Sequence, residues 1–337
     1  VYRAAPPGLG DPGLELAGRR WGPDVEALGR ARLYGLRLRE LVPALTSLRR
    51  ATAACRPDVV HLHAEVVPGI DDLVLARLRR RAGVVLTVHD PESMGGGRPQ
   101  VRADEVRRWR RAEAIIVHSE ASRDLVLSHA PAVPVHVVPV DLDLATVAVP
   151  RPEARRRLGL GGGPVALVLG FLRPYKGLAL LASAWPAVAR TMPQARLMLV
   201  GEAYPSVELE SLCALDGVEL RPGFLPDEEV DFWAAAADVL LMPYDRGSHS
   251  GVLHRALSVG TPVLASPPLA EEVRRTEAGR VVQLEAGAWS DAILGALGPN
   301  RMPPPPPLRG GGTARGTIAV YTEVLDRRAG RSVRASR

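Results

Sequence analysis

Short runs of apolar, largely β-branched residues recur along this chain, each separated from the next by about the length of one helix. That alternation restricts the fold more than any other feature. Val59-Val60-His61-Leu62-His63, Val84-Val85-Leu86-Thr87-Val88, Ala114-Ile115-Ile116-Val117 and Val135-His136-Val137-Val138 form a first set. A second set follows at 165–169, 197–200, 218–220, 239–242, 263–265 and 281–283. The runs are apolar almost throughout rather than at every other position, as strands are when helices cover both faces of a sheet. Strand and helix in regular succession imply an α/β protein with parallel sheets.

The chain has 337 residues, too many for one ordinary core and about right for two. A stretch rich in Pro, Arg and Gly at 149–163 reads as the linker, after which the alternation restarts. The expected units are residues 1–148, residues 164–300, and a final segment at 301–328. In that segment five consecutive prolines at 303–307 lead into a helix from about Thr313 to Arg328. Residues 329–337 read as a loose tail. The first unit looks incomplete: residues 1–28 hold four prolines and no apolar strand, where a doubly wound domain opens with a strand and a Gly-rich turn. Residues 29–54 read instead as a basic amphipathic helix, with Leu33, Leu36, Leu38, Leu41 and Leu45 between arginines.

Composition narrows the function classes. Hydrophobic residues at 46% and charged residues at 24% are those of a folded globular protein. No apolar run approaches the ~18–20 residues that span a bilayer. Val1-Tyr2-Arg3-Ala4-Ala5-Pro6-Pro7 offers no h-region, so no signal peptide is expected there, and a start without Met fits a fragment. Cys55 and Cys213 lack metal-type neighbours, which argues against a zinc site or disulfide and fits a reducing cytoplasm. The net charge of +6 is spread along the chain without aromatic–basic interleaving, so nucleic acid is not the expected partner. The basic helix at 29–54 could instead rest on an anionic membrane at its inner face, the rival being a solvated helix covering the sheet. One compositional fact is sharper. Of 43 basic residues only Lys176 is lysine, which suggests a site that needs a compact ammonium rather than a planar fork.

Lys176 lies in Gly170-Phe171-Leu172-Arg173-Pro174-Tyr175-Lys176-Gly177, straight after an expected strand and at the opening of a helix. Phosphates bind at helix N-termini, where backbone N–H groups are unpaired and the dipole is positive. An arginine fork and a lysine beside them would neutralise a diphosphate. The plainer reading is a turn with two solvated cations. The segment resembles the start of the C-terminal domain in the family-four retaining glycosyltransferases of the GT-B fold, and later landmarks keep the family's order. Val200-Gly201-Glu202 resembles its strand-end "VGxG". Gly223-Phe224-Leu225-Pro226-Asp227-Glu228-Glu229 resembles the turn whose backbone lies by the nucleotide base. Ala236-Ala237-Asp238-Val239, Ser250-Gly251-Val252 and Gly260-Thr261-Pro262-Val263 follow in sequence. Upstream, residues 56–63 and 86–91 are typical of the N-terminal domain, so the resemblance spans roughly residues 55 to 328.

The resemblance implies two Rossmann-like domains, with the last helix crossing back onto the first. It implies transfer of a sugar from a nucleoside diphosphate sugar to a hydroxyl acceptor with retention, no cofactor and no metal. His89, Arg173 and Lys176 would be the catalytic residues. Gly170, Arg173, Lys176, Glu202, Phe224, Leu225, Ser250, Gly251, Val252 and Glu272 would bind the donor. The departures are specific. Many members carry Glu-x7-Glu before the Gly-x-Pro-Val turn, and here those positions are Gly247 and Arg255. Pro267-Pro268-Leu269 replaces the usual Gly-Gly after the next strand, with Glu272 at the following glutamate. The Ser250-Gly251-Val252 turn would then hold phosphate or sugar through its backbone. His89 either faces the donor sugar or is a structural histidine at a strand end. Asp90 or Glu92 could take a proton from an acceptor hydroxyl. His61 and His63 resemble a metal pair without a third ligand, so structural roles are expected of them. The rival to an enzyme is a decayed member that binds sugar nucleotide or glycan, or serves as a partner subunit. The missing carboxylates and opening strand favour it, and Arg173 and Lys176 oppose it.

Overall fold

The computed structural model of the protein describes residues 50, 52, 54–63, 71–92, 100–140, 149–204, 207, 209–247, 249–299, 301–306 and 312–335. Both the missing opening unit and the amphipathic helix fall outside these residues, apart from helical residues 50, 52, 54 and 55. The expected membrane-facing surface therefore lies outside them too. No helix among the described residues is long and apolar enough to cross a membrane.

The first half holds β1 (Val59–Leu62), α1 (Asp71–Leu78), β2 (Gly83–Thr87), α2 (Ala103–Trp109), β3 (Ala114–Val117), α3 (Glu120–His129) and β4 (Val135–Val137). Its strands are all parallel, in the order β1-β2-β3-β4. Successive side chains leave a strand on opposite faces. Val84 and Leu86 of β2 accordingly pack with Leu75, Trp109 and Val126 of the helices, while Val85 turns to the other face.

The second half runs α4 (Arg151–Arg157), β5 (Val165–Leu169), α5 (Leu178–Thr191), β6 (Arg196–Gly201), α6 (Glu210–Cys213) and β7 (Val218–Pro222). It continues with α7 (Asp227–Ala236), β8 (Val239–Met242), α8 (Gly251–Ser258), β9 (Val263–Ala265), α9 (Ala270–Thr276), β10 (Gly279–Val281) and α10 (Ala286–Leu297). Its six parallel strands take the order β10-β9-β8-β5-β6-β7. The chain moves outward one way from β5 and the other way from β8, so the crevice beyond the carboxyl ends of those two strands is where such a sheet receives ligands. The last helix, α11 (Gly312–Ala335), returns to the first half. Its Val320 and Val324 bury against Val85, Ala114, Ile116 and Val138, on the sheet face that α1–α3 leave open.

Three local expectations need correcting. The presumed linker contains α4, which starts with proline in its first turn, where the missing N–H costs nothing. Arg151 and Arg155 of α4 donate at 2.8 and 2.7 Å to Asp238, whose carboxylate also receives Arg301 at 2.6 Å and the Val165 N–H at 2.8 Å. The last strand lies at Gly279–Val281 rather than 281–283. Gly279 passes so close to β9 that a Cβ would sit 1.9 Å from the Val263 carbonyl oxygen, a fit open only to glycine. Finally, α11 continues through Arg328 to Ala335, since no proline or cap interrupts it.

Candidate active site

The loop after β5 drops into the crevice, and its path is set by Gly177. This residue has φ +69, and a Cβ there would stand 1.9 Å from the carbonyl oxygen of Pro243, just beyond β8. Only glycine permits so close a crossing in the left-handed region. The crossing pulls the short turn Pro174–Lys176 against β8 and turns Lys176 inward. A cavity of about 540 Å³ opens at this point, a size typical of small-molecule sites.

Of the residues expected on the donor, Gly170, Arg173, Lys176, Glu202, Phe224, Leu225, Ser250, Gly251 and Val252 all line this cavity. Lys176 is only 3% exposed, and its Nζ donates to the Leu169 carbonyl at 2.6 Å. Burial, and then the nearby Arg173 guanidinium, push its ammonium down from 10.5 to about 7. An anion entering the cavity would reverse that shift, since an opposite charge favours the protonated form. Arg173 lies 4.4 Å above the Tyr204 ring and donates to the Tyr204 hydroxyl at 2.6 Å, which holds its fork at the cavity edge.

Opposite them, α8 begins at the wall with Gly251. Ser250 takes an extended N-cap conformation, but its side chain makes no capping bond; it hydrogen-bonds to Tyr244 instead. The Ser250 N–H donates to Glu272 Oε2 at 2.9 Å, and Glu272 Oε1 lies 2.8 Å from His254 Nε2. Glu272 is therefore buried behind the turn it anchors and stays off the cavity wall. Arg255, which stands in place of the second glutamate of Glu-x7-Glu, lines the cavity and forms a two-pronged bond to Asp231 of α7 at 3.0 and 3.1 Å.

His89 also lies off the wall. Its Nδ1 is 3.0 Å from His118 Nε2, and its ring is 5.8 Å from that of His249, which does line the cavity. Neither His118 nor His249 was singled out from the sequence, although a signal existed. His63 and His118 directly follow β1 and β3, and His89 comes two residues after β2, so neighbouring parallel strands release imidazoles at one edge. His61 is held by Tyr321 and Thr87 at 2.7 Å each, a structural setting. Asp90 lines the cavity, and burial raises its carboxyl, with Arg173 opposing the rise. Asp90 and Gly247 also border a neighbouring cavity of about 490 Å³, walled by Glu92, Ser119, Ser122, Arg246 and Glu271 among others.

Comparison with known proteins agrees with this architecture. Residues 163–298 match the family described as glycosyl transferases group 1, and residues 7–146 match glycosyltransferase family 4. The chain is 30% identical over 311 residues to D-inositol 3-phosphate glycosyltransferase of Pseudarthrobacter chlorophenolicus, covering 84% of this chain and 72% of that one. It is 31% identical over 245 residues to GDP-mannose-dependent alpha-(1-6)-phosphatidylinositol monomannoside mannosyltransferase of Mycolicibacterium smegmatis, covering 67% of this chain and 63% of the relative. Among solved structures, sucrose-phosphate synthase from Thermosynechococcus elongatus superposes with a TM-score of 0.65 at 22% identity, covering 91% and 80% of the two chains. The Anabaena protein HepE, solved with UDP-glucose, gives 0.60 at 18% identity, covering 87% and 84%. Two parallel α/β halves with a crevice at the switch point of the second sheet, and matches that run through both halves, place this chain in the family-four, group 1 glycosyltransferases of the GT-B fold.

Proposed function

We propose that this protein transfers a sugar from a nucleoside diphosphate sugar to a hydroxyl acceptor with retention of configuration. One observation carries the reading. The switch-point cavity gathers Arg173, Lys176 and the N-terminal N–H groups of α8 around a space that suits a diphosphate. Relatives support a donor of this class, one being GDP-mannose-dependent by name and another solved with UDP-glucose. The nucleoside would extend past Phe224 and Leu225, with the sugar toward His249 and the histidines behind it.

In the reaction, the bond from the anomeric carbon to the β-phosphate oxygen breaks and a bond to the acceptor oxygen forms on the same face. The leaving diphosphate takes the acceptor's proton, so no carboxylate pair of the glycosidase kind is required. Arg173, Lys176 and the α8 amides stabilise the charge that builds on that leaving group, which needs no metal at the diphosphate. The neighbouring cavity, which Asp90 and Gly247 share with the first, is the acceptor side; residues 1–148 contribute Glu92, Ser119 and Ser122 to it, while 164–300 hold the donor. The test is release of free nucleoside diphosphate from a donor panel, with and without inositol phosphate as acceptor. Acceptor-dependent release, lost in Lys176→Ala, is expected. Tight donor binding with no release for any acceptor would make the protein a binding module.

A further inference from the structure

His118 is buried directly after β3, and the reaction through the leaving diphosphate gives it no task. Both of its ring nitrogens are engaged. Nδ1 lies 2.8 Å from the Val138 carbonyl oxygen, and Nε2 lies 3.0 Å from Nδ1 of His89. His249 of the α8 loop packs edge-on against it, with ring centres 4.7 Å apart. His118 itself lines neither cavity.

These contacts allow one arrangement of protons. A carbonyl oxygen only accepts, so Nδ1 of His118 carries the proton. Its Nε2 is then a lone pair, and His89 donates to it through Nδ1–H. Nε2 of His89 is left as a lone pair as well. Burial lowers both imidazoles, His89 to about 4, so neither is charged at pH 7 and no second proton disturbs this order. His63 and His249, the other rings beside His89 at 5.8 Å each, are neutral for the same reason. Among the described residues nothing bonds Nε2 of His89, and the ring is exposed at the carboxyl edge of the first sheet.

We propose that His118 is a positioning residue: the chain Val138–His118–His89 fixes His89 as a hydrogen-bond acceptor toward the donor sugar, so the site takes a sugar that offers a hydroxyl there and turns away one that offers a carboxylate. This rests on the sugar lying toward the histidines, as in the reaction proposed above. The two nitrogens of an imidazole are linked, since the partner of one decides whether the other donates or accepts. Here a second imidazole carries that control one residue further. A hydroxyl can donate to the His89 lone pair. A uronate oxygen has no proton to give, so two acceptors would face each other. Without His118, the His89 proton is free to move to Nε2 and the discrimination is lost.

Nitrogen NMR of the ligand-free full chain reads the protons directly. At pH 7 His118 and His89 should both be Nδ1–H tautomers with bare Nε2. Donor titrations read the consequence, with UDP-glucose against UDP-glucuronate and GDP-mannose against GDP-mannuronate. The hydroxymethyl sugar should bind at least about tenfold tighter than its uronate partner. His118→Phe, or His118→Ala should the first not fold, should bring that ratio near one while affinity for UDP or GDP alone is kept. His118→Gln, whose amide oxygen can replace Nε2 as the acceptor, should restore most of it. An Nε2–H tautomer at His89 in the wild type would overturn the inference. So would equal affinity within the pair that binds, or a ratio unchanged in a folded variant without the acceptor. Failure of every donor to bind would instead sink the proposed reaction, and this inference with it.

Discussion

Lys176 carries a burial cost that its bond to the Leu169 carbonyl offsets in part and a bound anion would offset further. Its ammonium is pushed down to about 7 in the folded chain, against an ordinary value of 10.5. Between those values the unfolded chain binds more protons than the folded one, so stability of the ligand-free protein should rise as pH goes from 7 toward 10. Thermal melts of the wild type should show that slope, and Lys176→Met should flatten it. Donor binding has the opposite sign. A diphosphate diester does not titrate between pH 6 and 9, so affinity should fall as Lys176 loses its proton above about pH 7. Titrating UDP-glucose or GDP-mannose across that range checks it, and a flat profile in Lys176→Ala would accompany a loss of roughly ten- to hundredfold at pH 7. Gly251 is the second decisive residue. Gly251→Val places a branched side chain on the cavity wall and should abolish donor binding with little change in melting temperature. Ser250→Ala should cost about 1 kcal/mol, through its lost bond to Tyr244 rather than a lost cap. Paired donor titrations and melting curves separate the two.

Between elements, carboxylates do the joining. Asp238 caps the approach of α4 and the 301–306 segment to β8 by taking three guanidinium groups and one backbone N–H into a buried site. Asp238→Ala leaves those cations without their counter-charge and should cost about 3–5 kcal/mol, read from urea unfolding. Asp231 joins α7 to α8 through Arg255. From sequence alone, Arg255→Glu restores a carboxylate often found in this family and should strengthen ribose binding. With Asp231 8% exposed and 3.0 Å from the present guanidinium, the new glutamate would face a buried like charge instead. The expected result is a melting temperature several degrees lower and no gain in donor affinity.

Across the whole molecule, α11 makes the first half depend on the far end of the chain. Val324 is fully buried against the sheet, and a Cβ on Gly83 would lie 2.5 Å from its Cγ1. Arg328 adds a 2.6 Å bond to Glu113, and Thr313 one of 2.7 Å to the Pro139 carbonyl. Val324→Asp should therefore destabilise the first half alone, by about 3–5 kcal/mol. Urea melts followed by a probe in each half should separate into two transitions, the second unchanged.

The sequence by itself determined the layered α/β architecture, because strands buried on both faces must be apolar throughout and their spacing admits a helix each. It also pointed to Arg173 and Lys176, which the fold places on the cavity wall, since a single lysine among arginines, placed after a strand and before a helix, is a local signal. The β10 register and the helix in the presumed linker were not legible. Each depends on a contact distant in sequence, Gly279 on Val263 and Arg151 and Arg155 on Asp238. Only the tertiary structure decided that Glu272 stands behind the cavity, that Arg255 is neutralised by Asp231, and that imidazoles following β1, β2 and β3 meet one from the α8 loop at one edge. Strand order and the packing of one half on the other bring those groups within ångströms, and neither is encoded at short range in the chain.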